Sequence, residues 1–186
     1  MKSAFAIATL LLVGYTLQTS ALPAIFFSLS NAMGLTFLSG QSFNLVLQML
    51  VYLGLNRDVS GALIWTIVLG VMGRWFGLGW NGAQACGFFA VALLSSLLRR
   101  NMLLKDDLSI AIFVGVASTI EGFVHLSFGQ FLNQIPNPTP ILAGFIMVNA
   151  ALNAVCAPLI FRLMTLLDLW VGVGSPRARR ALLYDM

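Results

Sequence analysis

The placement of the charged side chains constrains this chain more than any motif does. Ten basic and six acidic residues are distributed over 186 positions. No charged residue lies between Ser3 and Asn56, and Glu121 is the only one between Asp107 and Arg162. Long uncharged stretches separated by short basic segments are typical of polytopic helical membrane proteins, because the stretches face lipid and the basic segments stay on one side.

The overall composition supports the same fold class. Hydrophobic residues make up 59% of the chain, charged residues 9%, and the mean hydropathy is +0.93. A soluble domain carries about a quarter charged residues, so the composition argues strongly against a soluble fold. We therefore predict an all-α, polytopic protein with a single integral membrane domain over residues 1–186. The net charge of +4 reflects basic residues at helix ends and does not indicate nucleic-acid binding.

The hydrophobic segments predict six transmembrane helices, over residues of about 3–20, 43–55, 59–76, 83–98, 108–128 and 141–167. Residues 22–38 are apolar but interrupted by polar side chains, and the sequence leaves open a re-entrant segment, an interfacial segment or a short extra helix. Pro23 favours an end or bend of the first helix. A non-helical turn is expected over 130–140, a kink at Pro158, and a basic cytoplasmic tail over 171–186.

The basic residues also predict the topology. With six spans, nine of the ten basic residues fall on the side of the two termini, and Arg74 alone falls on the other side. This bias places both termini in the cytoplasm. The second span, 43–55, is too short to cross a bilayer unless it borrows preceding residues or lies where the membrane is thin. The first apolar stretch continues through Phe27, which favours a retained helix over a cleaved signal peptide.

Three ionisable residues are candidates for an intramembrane site. Glu121 and His125 are four residues apart on the fifth span, so they share one face of the helix. Arg74 lies near the outer end of the third span, at a similar depth. Because an unpaired charge inside a membrane is costly, we expect an Arg74–Glu121 ion pair with His125 close by. A proton or substrate site at the same residues is the alternative.

Amide side chains repeat the same spacing on two other spans. Asn149 and Asn153 lie on the sixth span, and Asn44 and Gln48 on the second. Amides at such positions usually form hydrogen bonds between helices, so the prediction is a structural polar cluster of Arg74, Glu121, His125, Asn149 and Asn153. A polar ligand pocket is the alternative.

Motifs for catalysis or for cofactor binding are missing from the sequence. It contains no glycine-rich phosphate loop, no His-Glu-x-x-His sequence and no nucleophile elbow. Cys86 and Cys156 lie in apolar runs without a second ligand at metal-binding spacing, so we interpret them as small hydrophobic residues. The expectation is a protein that is not an enzyme and has no cofactor or metal.

Two expected external segments combine aromatic and amide side chains without charge. Charge depletion with aromatic enrichment is typical of the centre of protein interfaces. These segments could instead rest in the headgroup region. The candidate partner interface consists of Phe26, Phe27, Phe37, Phe131, Asn133 and Gln134.

Several segments of the chain resemble a known family. They are Leu17–Ser20 before Leu22 and Pro23, Asn44–Arg57, Gly61, Gly70–Gly73, Arg99–Arg100 at a helix end, and Pro158–Asp168. In this order they resemble the rod shape-determining protein MreD family over most of the chain. Two positions depart from the family pattern. Asn44 stands where the family often has proline, and Arg74 where it often has an acidic residue.

The resemblance implies a function and a set of partners. It implies a non-enzymatic scaffold subunit of the bacterial cell-elongation machinery in the cytoplasmic (inner) membrane. The expected direct partner is MreC, and through it MreB, RodA and the elongation-specific penicillin-binding protein. The family is similar in fold to the substrate-binding subunits of energy-coupling-factor transporters. The alternative function is therefore that of a transporter subunit that binds a vitamin or a metal.

Overall fold

Every secondary-structure element in the described part of the chain is a helix. The computed structural model describes residues 2–34, 43–56, 59–75, 82–99, 106–132 and 140–170. The elements are α1 Lys2–Thr16, a π-helical turn Leu17–Ala21, α2 Leu22–Met33, α3 Leu45–Asn56, α4 Val59–Trp75, α5 Gly82–Leu98, α6 Asp107–Phe131 and α7 Pro140–Trp170. The all-α prediction is confirmed for these residues.

Within the described residues, three helical segments are long and apolar enough to cross a bilayer. They are Ile7–Met33, Asp107–Phe131 and Ala143–Trp170. Shorter apolar helices cover Leu45–Asn56, Gly61–Gly70 and Gly82–Leu98. Large apolar side chains also cover the outward faces of the bundle, among them Ile67 on α4 and Val155 on α7, which are 66% and 79% exposed. Such a surface suits lipid, and the chain is accordingly a helical membrane protein.

The sequence suggested that the first helix ends or bends at Pro23. In the structure the helix does not end there but continues past this residue. Leu17–Ala21 forms a π-helical turn in which the Leu22 N–H donates to the Leu17 carbonyl, and α2 follows without a break. An α-helix would place the Pro23 ring against the carbonyl four residues earlier, and the wider turn lies directly before that position. Of the alternatives for 22–38, the structure therefore shows a helix over Leu22–Met33. Residues 35–38 lie outside the described part.

Two other boundaries differ slightly from the prediction. Gln130 belongs to α6 and Pro140 begins α7, so the expected non-helical turn over 130–140 is shorter than predicted. Proline is tolerated at the first position of a helix because the N–H that it lacks would have no partner there. Helix α7 continues through Pro158 to Trp170, and the kink there stays a prediction. The predicted tail at 171–186 lies outside the described residues.

Helix α3 is the centre of the bundle. Every residue from Leu45 to Leu55 is buried, and α3 packs against α1, α4, α5, α6 and α7. At Gly54 a Cβ atom would lie 2.7 Å from the Cβ of Ser95 on α5, so these two helices approach closely. A short helix enclosed by other helices does not have to match the bilayer thickness by itself. The preceding residues 35–42, from which this span was expected to borrow, lie outside the described part, so that expectation stays a prediction.

Side-chain contacts tie the helix ends together at one end of the bundle. The Tyr52 hydroxyl donates to Asp168 Oδ2 at 3.0 Å, and the Tyr52 ring packs edge-on against Phe161. Arg162 forms an exposed salt bridge with Asp107. Tyr52, Asp107 and Asp168 lie at this end of the bundle. Because Arg162 lies there too, we call it the basic end. The opposite end, where α3 begins at Leu45 and α6 finishes at Phe131, is the apolar end.

Candidate functional site

A buried hydrogen-bond network joins α3, α6 and α7 at the N-terminal end of α3. Asn153 on α7 is fully buried at its centre. Its Oδ1 accepts from the backbone N–H of Asn44 at 2.6 Å and from Gln48 Nε2 at 3.2 Å. Its Nδ2 donates to Ser118 Oγ at 2.7 Å. The predicted role of Asn153 in contacts between helices is therefore visible in the geometry.

The Asn44 backbone fixes the orientation of both amides. A backbone N–H can only donate, so the Asn153 atom that faces it must be the oxygen. The Gln48 atom that faces the same oxygen must then be its nitrogen. The Oε1 atom of Gln48 is left over, and it is buried without a hydrogen-bond partner among the described residues.

The N-terminus of α3 itself is satisfied by side chains of the protein. Asn44 Oδ1 accepts from the Leu47 N–H at 2.9 Å, as an N-cap residue does. Gln18, in the π-helical turn, accepts from the Val46 N–H at 3.0 Å through its Oε1. Because these donors are already used, the helix end is not an open anion site.

A second unpartnered amide oxygen lies one helical turn from Asn153. Asn149 is four residues earlier on α7 and on the same face of that helix. Its Oδ1 is buried, and its side chain forms no hydrogen bond within the described residues. Two buried acceptors, from Gln48 and Asn149, therefore flank the network.

Glu121 lies on α6, three residues after Ser118, and its side chain crosses Gly87 on α5. A Cβ at Gly87 would lie 3.1 Å from Glu121 Cγ and 3.3 Å from Glu121 Oε1. The carboxylate makes no hydrogen bond or ion pair within the described residues. Glu121 therefore places a carboxyl group inside the bundle.

Of the other two members of the predicted ionisable cluster, the structure describes the side chain of His125 but not that of Arg74. His125 lies one turn beyond Glu121 on α6, and its Nδ1 is buried without a partner in the described part. Arg74 belongs to α4, but its side chain lies outside the described residues. The Arg74–Glu121 pair therefore stays a prediction.

Sequence reasoning missed three members of this interior region. Ser118 lies three residues before Glu121, a helical spacing that could have marked it, and Gln18 was noted only as part of the segment Leu17–Ser20. Tyr15 donates a buried hydrogen bond of 3.0 Å to the Leu69 carbonyl, which links α1 to α4. The amide pair Asn44 and Gln48 did carry a signal, since its spacing matched that of Asn149 and Asn153.

The predicted partner interface is only partly exposed. Phe131 is 82% exposed and Phe27 56% exposed, whereas Phe26 is half-buried and packs edge-on against Phe43 at 5.9 Å. Phe26 therefore contributes to internal packing, and the sequence could not separate it from its neighbour Phe27. The remaining members, Phe37, Asn133 and Gln134, lie outside the described residues.

The described residues contain neither a cluster of metal ligands nor a disulfide. No group of three or more His, Cys, Asp or Glu side chains that could hold a metal ion occurs there. Cys86 and Cys156 are free, half-buried thiols. The interior site is therefore built of amides, a hydroxyl and one carboxyl group.

The fold and the interior network define a helical membrane protein with a polar cluster beside a central buried helix. Comparison with known proteins finds no matching family model, no similar curated protein and no similar solved structure.

Proposed function

We propose that this chain is a non-enzymatic scaffold subunit of the bacterial cell-elongation complex and that it binds MreC in the cytoplasmic membrane. The observation that carries the proposal is the apolar surface of α2. Ile25, Phe27, Leu29 and Met33 are exposed there, and α2 packs mainly on the π-helical turn of its own helix. An apolar helix that the described part of the bundle leaves uncovered is suited to bind a partner.

The length of this helix supports a partner at the membrane surface. The segment Ile7–Met33 has 27 residues, which corresponds to about 40 Å of helix. The hydrocarbon core of a bilayer is about 30 Å thick, so the helix either tilts or extends beyond it. In the second arrangement the end of α2 lies at headgroup level, where lipid tails no longer cover its apolar side chains. A partner with one transmembrane helix and an external domain, as MreC is expected to be, would cover them.

The topology of the proposal has six spans with both termini in the cytoplasm. Six alternating helices, with the π-helical turn inside the first, place the end of α2 and Phe131 on the external side. The segregation of the basic residues supports this arrangement. It brings both exposed phenylalanines to the side on which an external domain would dock. MreB, RodA and the elongation-specific penicillin-binding protein are then indirect partners through MreC.

Co-purification with MreC from native membranes tests the proposal. We expect Phe27→Glu combined with Phe131→Glu to abolish it while the protein still elutes as a folded species. Leu108→Glu is the matched control, because Leu108 is 69% exposed but lies on α6 at the basic end. Intact co-purification with both phenylalanines replaced would remove this surface from the interface. Normal rod growth of cells without the protein would remove the function itself.

A second candidate function is favoured by the unpartnered interior amides. A substrate-binding subunit of an energy-coupling-factor-type transporter, for a vitamin or a metal, needs a polar site within its helices. Gln48 Oε1 and Asn149 Oδ1 are buried acceptors of the kind that such a ligand would use. Co-purification of an ATPase pair in place of MreC would favour this candidate.

A further inference from the structure

We propose that the interior network holds a binding site for a small protonated amine, with Gln48, Asn149 and Glu121 as its contacts. This site is separate from the docking surface on α2 and does not depend on the scaffold function. It is inferred first from buried polar atoms that form no hydrogen bond within the described residues. A buried polar atom without a partner is costly, and more so among helices in a membrane, where water is excluded.

The unused groups are acceptors. The orientation of Gln48 is fixed through Asn153 by the Asn44 backbone N–H, so the orphan atom must be Oε1. The Asn149 amide forms no hydrogen bond within the described residues, so it can turn its Oδ1 toward a ligand that bonds Gln48 Oε1. Gln48 Oε1 requires a ligand that donates hydrogen bonds. An anion, or a ligand that only accepts, would leave this oxygen unpaired.

The helical register brings Asn149 and Glu121 to one level. The Ser118–Asn153 hydrogen bond of 2.7 Å links α6 to α7. One helical turn closer to the apolar end, α6 carries Glu121 and α7 carries Asn149. Both residues therefore lie about 5.4 Å from the level of the Ser118–Asn153 bond. The two helices stay in contact at this level, since a Cβ at Gly122 would lie 2.7 Å from Ile146 Cγ2. Gln48 approaches from α3 through its bond to Asn153.

The charge of the ligand follows from Glu121. Its carboxylate makes no hydrogen bond or ion pair within the described residues. A carboxylate inside a membrane bundle is stabilised by a neighbouring positive charge. A protonated primary amine supplies both that charge and up to three N–H donors, which matches one carboxylate and two amide oxygens.

Thermal unfolding of the purified full-length protein in detergent tests the site. The probes are methylammonium chloride and tetramethylammonium chloride at equal concentration, which carry the same charge but differ in N–H donors. We expect a saturable rise in the unfolding midpoint with methylammonium, of about 4 °C at ten times its Kd, and none with tetramethylammonium. Equal shifts from both salts, or no shift with methylammonium, would overturn the proposal. The latter result would mean that the acceptors bind only water.

Two variants and a control assign the contacts. Asn149→Leu loses no hydrogen bond within the described residues, so it should fold and lose the methylammonium shift. Ser96→Ala is the control, because Ser96 Oγ is also buried and unpartnered but lies on α5 near the basic end, and its shift should persist. Glu121→Gln should also lose the shift. An unchanged shift in that variant, as an Arg74–Glu121 pair would produce, overturns the assignment of the charge.

Discussion

Gln48 on α3 donates a hydrogen bond of 3.2 Å to Asn153 on α7, although 105 positions separate them in the chain. The same Asn153 oxygen accepts from the Asn44 backbone, and Asn153 donates to Ser118. One side chain thus holds the start of the central helix against two of its neighbours. This relationship gives Asn153 a larger structural role than the other amides.

Replacing Asn153 by leucine should therefore destabilise the protein markedly. Three hydrogen bonds are lost, and the buried donors of Gln48 and of the Asn44 backbone are left unpaired. Interhelical hydrogen bonds in membranes contribute about 0.6 kcal/mol each, and unpaired buried groups add to the loss, so we expect about 2–3 kcal/mol. Reversible unfolding in detergent measures it. Thr66→Val is the control, since Thr66 bonds only within its own helix to Ala62, and it should cost less than about 1 kcal/mol. Equal losses in the two variants would contradict the assigned role.

The close approach of α3 to α5 predicts a glycine requirement at one position. In Gly54→Ala the new Cβ would lie 2.7 Å from Ser95 Cβ, so one helix must shift, at a cost of about 1–3 kcal/mol. Gly61→Ala is the matched control, because no atom of another described segment lies within 4 Å of its new Cβ and alanine favours a helix. We expect Gly61→Ala to be neutral or stabilising. The combination of Gly54→Ala with Ser95→Gly should recover part of the loss, and a full additive loss would show that the two residues do not conflict.

The six-span topology predicts where the loops and termini lie. Reporter fusions after Ile135 should give an external signal, and fusions after Met186 a cytoplasmic one. The physical reason is that the basic residues, nine of ten, collect on the side of the termini in this arrangement. An external signal at Met186 would exclude an even number of spans with a cytoplasmic N-terminus.

Acid should weaken the start of α6 through Asp106. Its side chain caps α6 by accepting from the Ser109 hydroxyl at 2.8 Å and from the Ser109 N–H at 3.0 Å. These hydrogen bonds lower the pKa of Asp106 below its ordinary value of 3.8. The contribution of this cap to stability is therefore complete above the ordinary pKa and is lost as the pH falls through the lowered one.

We expect the unfolding midpoint to fall between about pH 5 and pH 3 partly because of this group. Asp106→Asn is the test variant, because asparagine caps a helix equally well but does not titrate in this range. Its midpoint should fall less steeply over the same interval. Identical acid profiles for the two proteins would assign the loss of stability to other carboxyl groups.

The sequence could predict the location of polar residues only where their spacing along one helix placed them on a common face. The amides at 149 and 153 and at 44 and 48 are each one helical turn apart, so a sequence shows that they share a face. Ser118 and Gln18 have no second amide at helical spacing, and only the packing of α6 and of the π-helical turn brings them to the network. Phe26 and Phe27 are adjacent and equally apolar, yet only Phe26 packs against Phe43, because the two point to different faces of one helix.

The sequence by itself determined the all-helical class and most helix positions. Long uncharged runs cannot be stable in water and must satisfy their backbone internally, so local composition suffices for that conclusion. Tertiary structure alone decided that the shortest helix, α3, is the central one, and that the first helix continues through Pro23. Which helices surround α3 depends on contacts between residues far apart in the chain, as at Gly54 and Ser95 or at Gln48 and Asn153. No local pattern encodes such contacts, because they arise only when the helices pack.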